Sequence, residues 1–135
     1  MSLSLPASQV LNNHPVYSQF INEAVHDPDI LAVYQYGSSV SEKRFRDVDL
    51  CIITLDNNPN AFFKKFLLYS GRYAAMGTIP LDITLFSLLP LYIRIQIIRE
   101  GIPVYVQDRD ILFDLVLITN REWDDFEQSY RIMIK

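Results

Sequence analysis

The run Asp47-Val48-Asp49-Leu50-Cys51-Ile52-Ile53-Thr54-Leu55 decides how this chain is read. Two acids one residue apart open it, and the rest is apolar. Side chains alternate across a strand, so both carboxylates project from one face. They stand at the edge of a core, where packing gives them no purpose. A divalent cation would, because hard cations take several carboxylate oxygens at once. Upstream, Ile30 to Tyr36 is a second β-rich run that ends abruptly at Gly37-Ser38-Ser39. A glycine after a strand lets backbone approach a ligand closely, and successive N–H groups at such a turn form an anion-binding concavity. The Ser38 hydroxyl adds a donor. Downstream, Pro80 to Phe86 reads as a third strand, with Leu81, Ile83 and Leu85 alternating against Asp82, Thr84 and Phe86. It brings a third acid, Asp82.

Helices and turns fill the intervals. Residues 14–26 read as a helix with Pro15 in its first turn and a stripe of Val16, Phe20, Ile21, Ala24 and Val25. Asp27-Pro28-Asp29 stops it. Residues 40–46 are a short charged connection. Asn58 is a candidate cap and Pro59 a first helical residue for a helix whose apolar face is Phe62, Phe63, Phe66 and Leu67. A third helix is expected from Ser87, carrying Leu88, Leu91, Ile95 and Ile98 and stopping at Gly101. Pro103 to Val106 reads as a fourth strand. Asp108 opens a final helix to about residue 131, although Ile111 to Ile118 is apolar nearly all round and could also form a strand. The expected fold is α+β, a small mixed sheet flanked by helices, with residues 1–135 as one domain.

Composition narrows the function. Half of the residues are hydrophobic, which excludes disorder. The net charge of -4 supplies no basic field for extensive nucleic-acid binding. Acids concentrate from Asp108 onward, where seven face four bases, so that segment could meet a basic partner. The single cysteine, Cys51, lies in the most apolar strand and reads as a buried small hydrophobe. His14 and His26 are the only histidines, which argues against a zinc site. The first residues show no signal-peptide pattern and no apolar run reaches a membrane span, so a cytoplasmic location is expected.

Taken together, strand, Gly37-Ser38, short helix, Asp47-Val48-Asp49, strand, and Asp82 on a later strand resemble the nucleotidyltransferase superfamily that includes DNA polymerase β. The chain's size, and the stretch Leu88 to Tyr105 with its Arg99-Glu100-Gly101, are similar to the minimal nucleotidyltransferases (MNT) within it. The resemblance covers roughly residues 30–110. It implies a nucleotidyltransferase fold and transfer of a nucleoside monophosphate, AMP from ATP or another nucleoside triphosphate, to a hydroxyl. It implies that Gly37, Ser38 and Ser39 hold phosphates and that Lys43 and Arg44 neutralise triphosphate charge. It implies that Asp47, Asp49 and Asp82 hold two Mg²⁺ ions, with Asp82 also helping to deprotonate the acceptor. A solvated charge run is the other reading of Lys43, Arg44 and Arg46. The resemblance further implies a HEPN-type helical partner, with the MNT chain as the antitoxin of a toxin–antitoxin pair and a homo- or hetero-oligomer as the assembly.

This sequence departs from the family pattern in one segment. Val40-Ser41-Glu42 stands where Arg-Gly is usual, Arg46 stands where Ser often precedes the first Asp, and Ser38 to Asp47 is about two residues short. No metal ligand is lost; the segment that shapes the nucleotide pocket is altered. Two functions therefore remain open: an enzyme acting on a protein hydroxyl, and a catalytically impaired module that neutralises a partner by binding alone. Nucleotidylation of a small molecule is a third, weaker reading.

Overall fold

The computed structural model describes residues 15–41, 46–56, 58–74 and 79–134. Its elements in chain order are α1 (Pro15–Val25), β1 (Ile30–Tyr36), α2 (Ser38–Ser41), β2 (Val48–Thr54), α3 (Pro59–Tyr73), β3 (Leu81–Leu85), a 3₁₀ turn (Phe86–Leu88), α4 (Leu91–Glu100), β4 (Ile102–Val106) and α5 (Arg109–Ile134). The four strands form one mixed sheet in the order β3-β2-β1-β4. Strand β1 runs antiparallel to both β2 and β4, and β2 runs parallel to β3. The expected α+β class and strand content hold.

The register sorts the side chains into two layers. On one face Val33, Ile52 and Leu85 lie in a row, as do Leu50 and Ile83, and all are buried. Helices α1 and α3 cover this face with Phe20, Ala24, Phe62 and Tyr73. Phe20 meets the rings of Tyr69 and Tyr73 edge-on at 5.8 and 5.3 Å, a favoured aromatic geometry. Polar contacts fasten the same helices. Tyr73 donates to Glu23 at 2.6 Å, and the buried Asp27 accepts from Tyr69 at 3.0 Å and from Lys65 at 3.1 Å. The other face carries Ala32, Tyr34, Cys51, Ile53 and Phe86 under α4 and α5, which bring Ile97 and Leu112. Cys51 is fully buried, as its apolar surroundings suggested.

Several boundaries differ from the sequence reading. Asp47 precedes β2, which begins at Val48. The helix expected from Ser87 is broken: Phe86–Leu88 form a 3₁₀ turn, and α4 starts only at Leu91. Pro90 is the cause. It holds Leu89 extended (φ -85°, ψ 147°), since a residue before proline avoids the helical region. Leu88 is then left exposed rather than packed, as are Val25, Phe63 and Leu67 from the two expected apolar faces. Gly101 does end α4, but with φ -76° rather than a left-handed cap. Space is the reason for glycine here: a Cβ would meet the Ile97 carbonyl oxygen at 2.5 Å and that of Gln35 at 3.0 Å. The stretch Ile111 to Ile118 is helical. Asn58 caps α3 as read, accepting from the Asn60 N–H at 3.0 Å.

Candidate functional site

The three acids meet where β2 and β3 begin and β1 ends. Because β2 and β3 are parallel, Asp49 and Asp82 fall side by side in register, and Tyr36 at the end of antiparallel β1 stands on the other side of Asp49. One row therefore reads Tyr36-Asp49-Asp82. Asp47, two residues before Asp49, joins them. One carboxylate oxygen of each acid lies within 4.8 Å of the others. Asp82 is exposed, whereas Asp47 and Asp49 are partly buried. Among the described residues, no ion pair reaches any of the three.

Charge crowding shows in Asp49. Burial, then the charges of Asp47 and Asp82, and a side-chain hydrogen bond with Asp82, push its carboxyl up to about 6. Carboxylates held together without a counter-charge are a good donor set for a hard cation, which would relieve the repulsion. The cluster thus fits the divalent metal that the sequence pattern implied.

Directly beneath the acids lies a second row, Tyr34-Cys51-Thr84. The hydroxyls of Tyr36 and Thr84 are hydrogen-bonded at 3.1 Å, which ties β1 to β3 across β2. Thr84 also donates to the Leu50 carbonyl at 3.4 Å. Burial drives the Tyr36 phenol up to about 12, so it stays neutral and serves as a hydrogen-bonding wall. The Cys51 thiol, pushed up to about 12 by burial, is inert. The sequence reading passed over this floor. Its signal was the alternation Asp82-x-Thr84, which places a hydroxyl one step below the third acid.

Gly37 follows Tyr36 with φ 77°, a left-handed conformation that favours glycine. A Cβ there would run into the Asp49 carboxylate. The turn and the acids are thus built against one another. After Gly37 the chain makes the single turn of α2, closed by the Val40 N–H donating to the Gly37 carbonyl at 3.1 Å. Ser38, the first residue of that turn, is partly exposed. Ser39 is fully buried, and its hydroxyl accepts from the Gln35 amide at 3.0 Å. The same amide donates to the Ser39 carbonyl at 3.3 Å. The Ser39 hydroxyl, expected beside the phosphates, is engaged in anchoring α2 to β1. Gln35 was also passed over, although a single amide in an otherwise apolar strand is a signal for such an anchor. Lys43 and Arg44 lie outside the described residues. Arg46 is exposed.

Residues 18–110 match the family model for the polymerase beta nucleotidyltransferase domain. No curated protein sequence matches the chain significantly. Solved structures share the fold at low identity. A chain of a toxin–antitoxin complex with AMP-PNP is 14% identical with a TM-score of 0.66, over 86% of this chain and 94% of that one. A chain from the complex of the tri-AMPylated Shewanella oneidensis HEPN toxin with its MNT antitoxin is 12% identical with a TM-score of 0.61, over 93% of this chain and 94% of that one. A chain of the MntA–HepT toxin–antitoxin complex is 13% identical with a TM-score of 0.57, over 86% and 92%. Among the described residues no helix is long and apolar enough to cross a membrane.

Proposed function

The chain belongs to the polymerase β nucleotidyltransferase family, and on that premise we propose that it transfers AMP from ATP to a hydroxyl of a helical HEPN-type partner, as the MNT antitoxin of a toxin–antitoxin pair. The convergence of Asp47, Asp49 and Asp82 within 4.8 Å carries this reading. These three residues would hold Mg²⁺, two ions in the family pattern. When bound, Mg²⁺ supplies charge neutralisation and in-line alignment of the attacking and leaving oxygens. Gly37 and Ser38 would face the β- and γ-phosphates, with Lys43 and Arg44 balancing their charge. In the transfer the acceptor oxygen bonds to the α-phosphorus, the bond to the β-phosphate oxygen breaks, and pyrophosphate leaves. Asp82, the most exposed acid, would take the acceptor's proton. The neutral Tyr36 phenol, hydrogen-bonded to Thr84, adds no charge beside the acids. A HEPN partner and an AMP acceptor on it are supported by what the structural relatives are recorded with.

The test is labelled ATP incubated with the chain and a co-purified HEPN-type partner. Label on the partner is expected with the parent chain and is lost in Asp47→Ala and in Asp49→Ala. Unchanged labelling in both variants rejects the reading.

One observation favours a second reading, neutralisation by binding alone: the phosphate-side turn is a single short helix whose Ser39 hydroxyl is already taken by Gln35. Calorimetry with ATP and Mg²⁺ separates the two. Heat of binding that disappears in Asp47→Ala belongs to the enzyme, and its absence from the parent chain belongs to the binding module.

A further inference from the structure

Helix α2 is a single turn of four residues, too short to be stable by itself. The bonds that close it converge on one acceptor. The Val40 N–H, the Ser41 N–H and the Ser41 hydroxyl all donate to the Gly37 carbonyl, at 3.1, 3.3 and 3.3 Å. These bonds shape the turn but do not fasten it to the sheet. Among the described residues, the hydrogen bonds that fasten it are those of the Gln35 amide, to the Ser39 hydroxyl at 3.0 Å and to the Ser39 carbonyl at 3.3 Å. An amide nitrogen carries two N–H donors, enough for both acceptors.

The anchor stands on a rigid base. Gln35 lies in an inner strand, opposite Leu50 of β2 and Ile102 of β4. It is 5% exposed, and Ser39 is fully buried. Its strand is otherwise Ile30-Leu31-Ala32-Val33-Tyr34 and Tyr36, where an apolar side chain would avoid the cost of desolvating an amide. What the amide adds over an apolar contact is direction, since a satisfied buried polar pair permits one arrangement. By strand alternation Gln35 points away from the face of Tyr34 and Tyr36, which is the face of the acids.

The turn is therefore gripped from both faces. Gly37 packs against the Asp49 carboxylate, where no Cβ fits. Ser39 is pinned from the opposite face by Gln35. Ser38, partly exposed, stands between the two grips. We propose that Gln35 is a positioning residue for nucleotide binding, which through Ser39 fixes the turn at Ser38 beside the acids before ATP arrives. A turn ordered in advance loses no further freedom on binding, and affinity rises accordingly. The inference rests on the nucleotidyl-transfer reading, and its test separates the two.

ATP is titrated by calorimetry into the full chain at saturating Mg²⁺, and Mg²⁺ alone into the same proteins. Gln35→Leu keeps the size of the side chain and removes the amide. It should weaken ATP binding about tenfold, the usual scale for an outer-shell partner. Mg²⁺ affinity should stay at the parent's value, because Asp49 and Asp82 are set by their own strands. Ser39→Ala should weaken ATP binding in the same way. The double variant should bind no more weakly than Gln35→Leu, since two residues acting through one contact do not add. If circular dichroism shows that Gln35→Leu has not folded, Ser39→Ala carries the test. A parent chain that binds ATP, with variants that bind it equally well, overturns the inference alone, even if their melting temperature falls. Additive losses, or an equal loss of Mg²⁺ affinity, overturn it too. A parent chain that binds no ATP overturns both this inference and the nucleotidyl-transfer reading.

Discussion

The two faces of the sheet draw on the same strands and differ in what the strands place there. Under α1 and α3, β2 contributes Val48, Leu50 and Ile52, all fully buried. On the opposite face the same strand contributes Asp49, Cys51 and Ile53. There the apolar layer thins toward the strand ends, through the row Tyr34-Cys51-Thr84 to the row Tyr36-Asp49-Asp82. One face can be optimised for burial because the other carries the charges. Substitutions one residue apart along β2 should therefore affect activity at one position and stability at the next.

The largest effect expected is on chemistry. Asp49→Asn should lower partner labelling at saturating ATP by about 1000-fold or more, equivalent to about 4 kcal/mol in the barrier. At pH 7.5 without metal it should not lower the melting temperature, because it removes a crowded charge. A parallel loss of stability would mean that Asp49 is a packing residue, and the contrast between the faces would fail.

Next comes Leu50→Ala, on the sealed face. Deleting its buried side chain should cost about 3 kcal/mol in urea unfolding, while the activity of the folded fraction is kept. Gly37→Ala tests the seam between turn and acids. Its φ of 77° disfavours any side chain, and its Cβ would displace the Asp49 carboxylate. A stability loss of about 1–2 kcal/mol is expected, together with weaker Mg²⁺ binding by calorimetry. Metal affinity equal to that of the parent would separate the turn from the metal site.

The smallest effect is on pH dependence. The Asp49 carboxyl sits at about 6 in the folded chain, above its ordinary value of 3.8. The folded state therefore holds the proton more tightly than the unfolded state. This stabilisation is fully present below the ordinary value and is lost as pH rises through about 6. The metal-free protein should gain stability between pH 7.5 and pH 5 from this site. Solvent screening of the half-buried group reduces the gain to about 1 kcal/mol. Saturating Mg²⁺ should oppose the trend, since metal binds the deprotonated form. Asp49→Asn should remove this contribution, and a pH slope identical to that of the parent would assign it elsewhere.

Much of the acidic half of the site was legible from spacing. Two acids spaced i and i+2 at the mouth of a strand fall together even though Asp47 lies just before β2, and Asp82 alternates with Leu81 and Ile83, so its face was also set locally. The turn at Gly37 was legible as a turn. The reason for its glycine was not, because the clash that forbids a Cβ comes from Asp49, a residue twelve positions later. The surroundings of Ser39 were hidden for a related reason. A serine beside Gly-Ser looks like a donor to a ligand, and only the position of Gln35 turns its hydroxyl inward. The helix expected from Ser87 failed on a local rule that the apolar periodicity masked, the constraint that Pro90 imposes on Leu89. On α5, periodicity marked a helix but could not reveal that, among the described residues, Phe126 and Tyr130 are half exposed while Leu112 and Thr119 are buried.

By itself the sequence determined most element types, the family pattern and the pairing of Asp47 with Asp49, because strand alternation and cap chemistry act within a few residues. Tertiary structure decided what needs distance in the chain. Parallel pairing of β2 with β3 sets Asp82 beside Asp49. The antiparallel return of β1 puts Tyr36 and Gly37 against the same carboxylate. Crowding and burial then raise the proton affinity of Asp49, a property of three strands that no stretch of sequence holds alone.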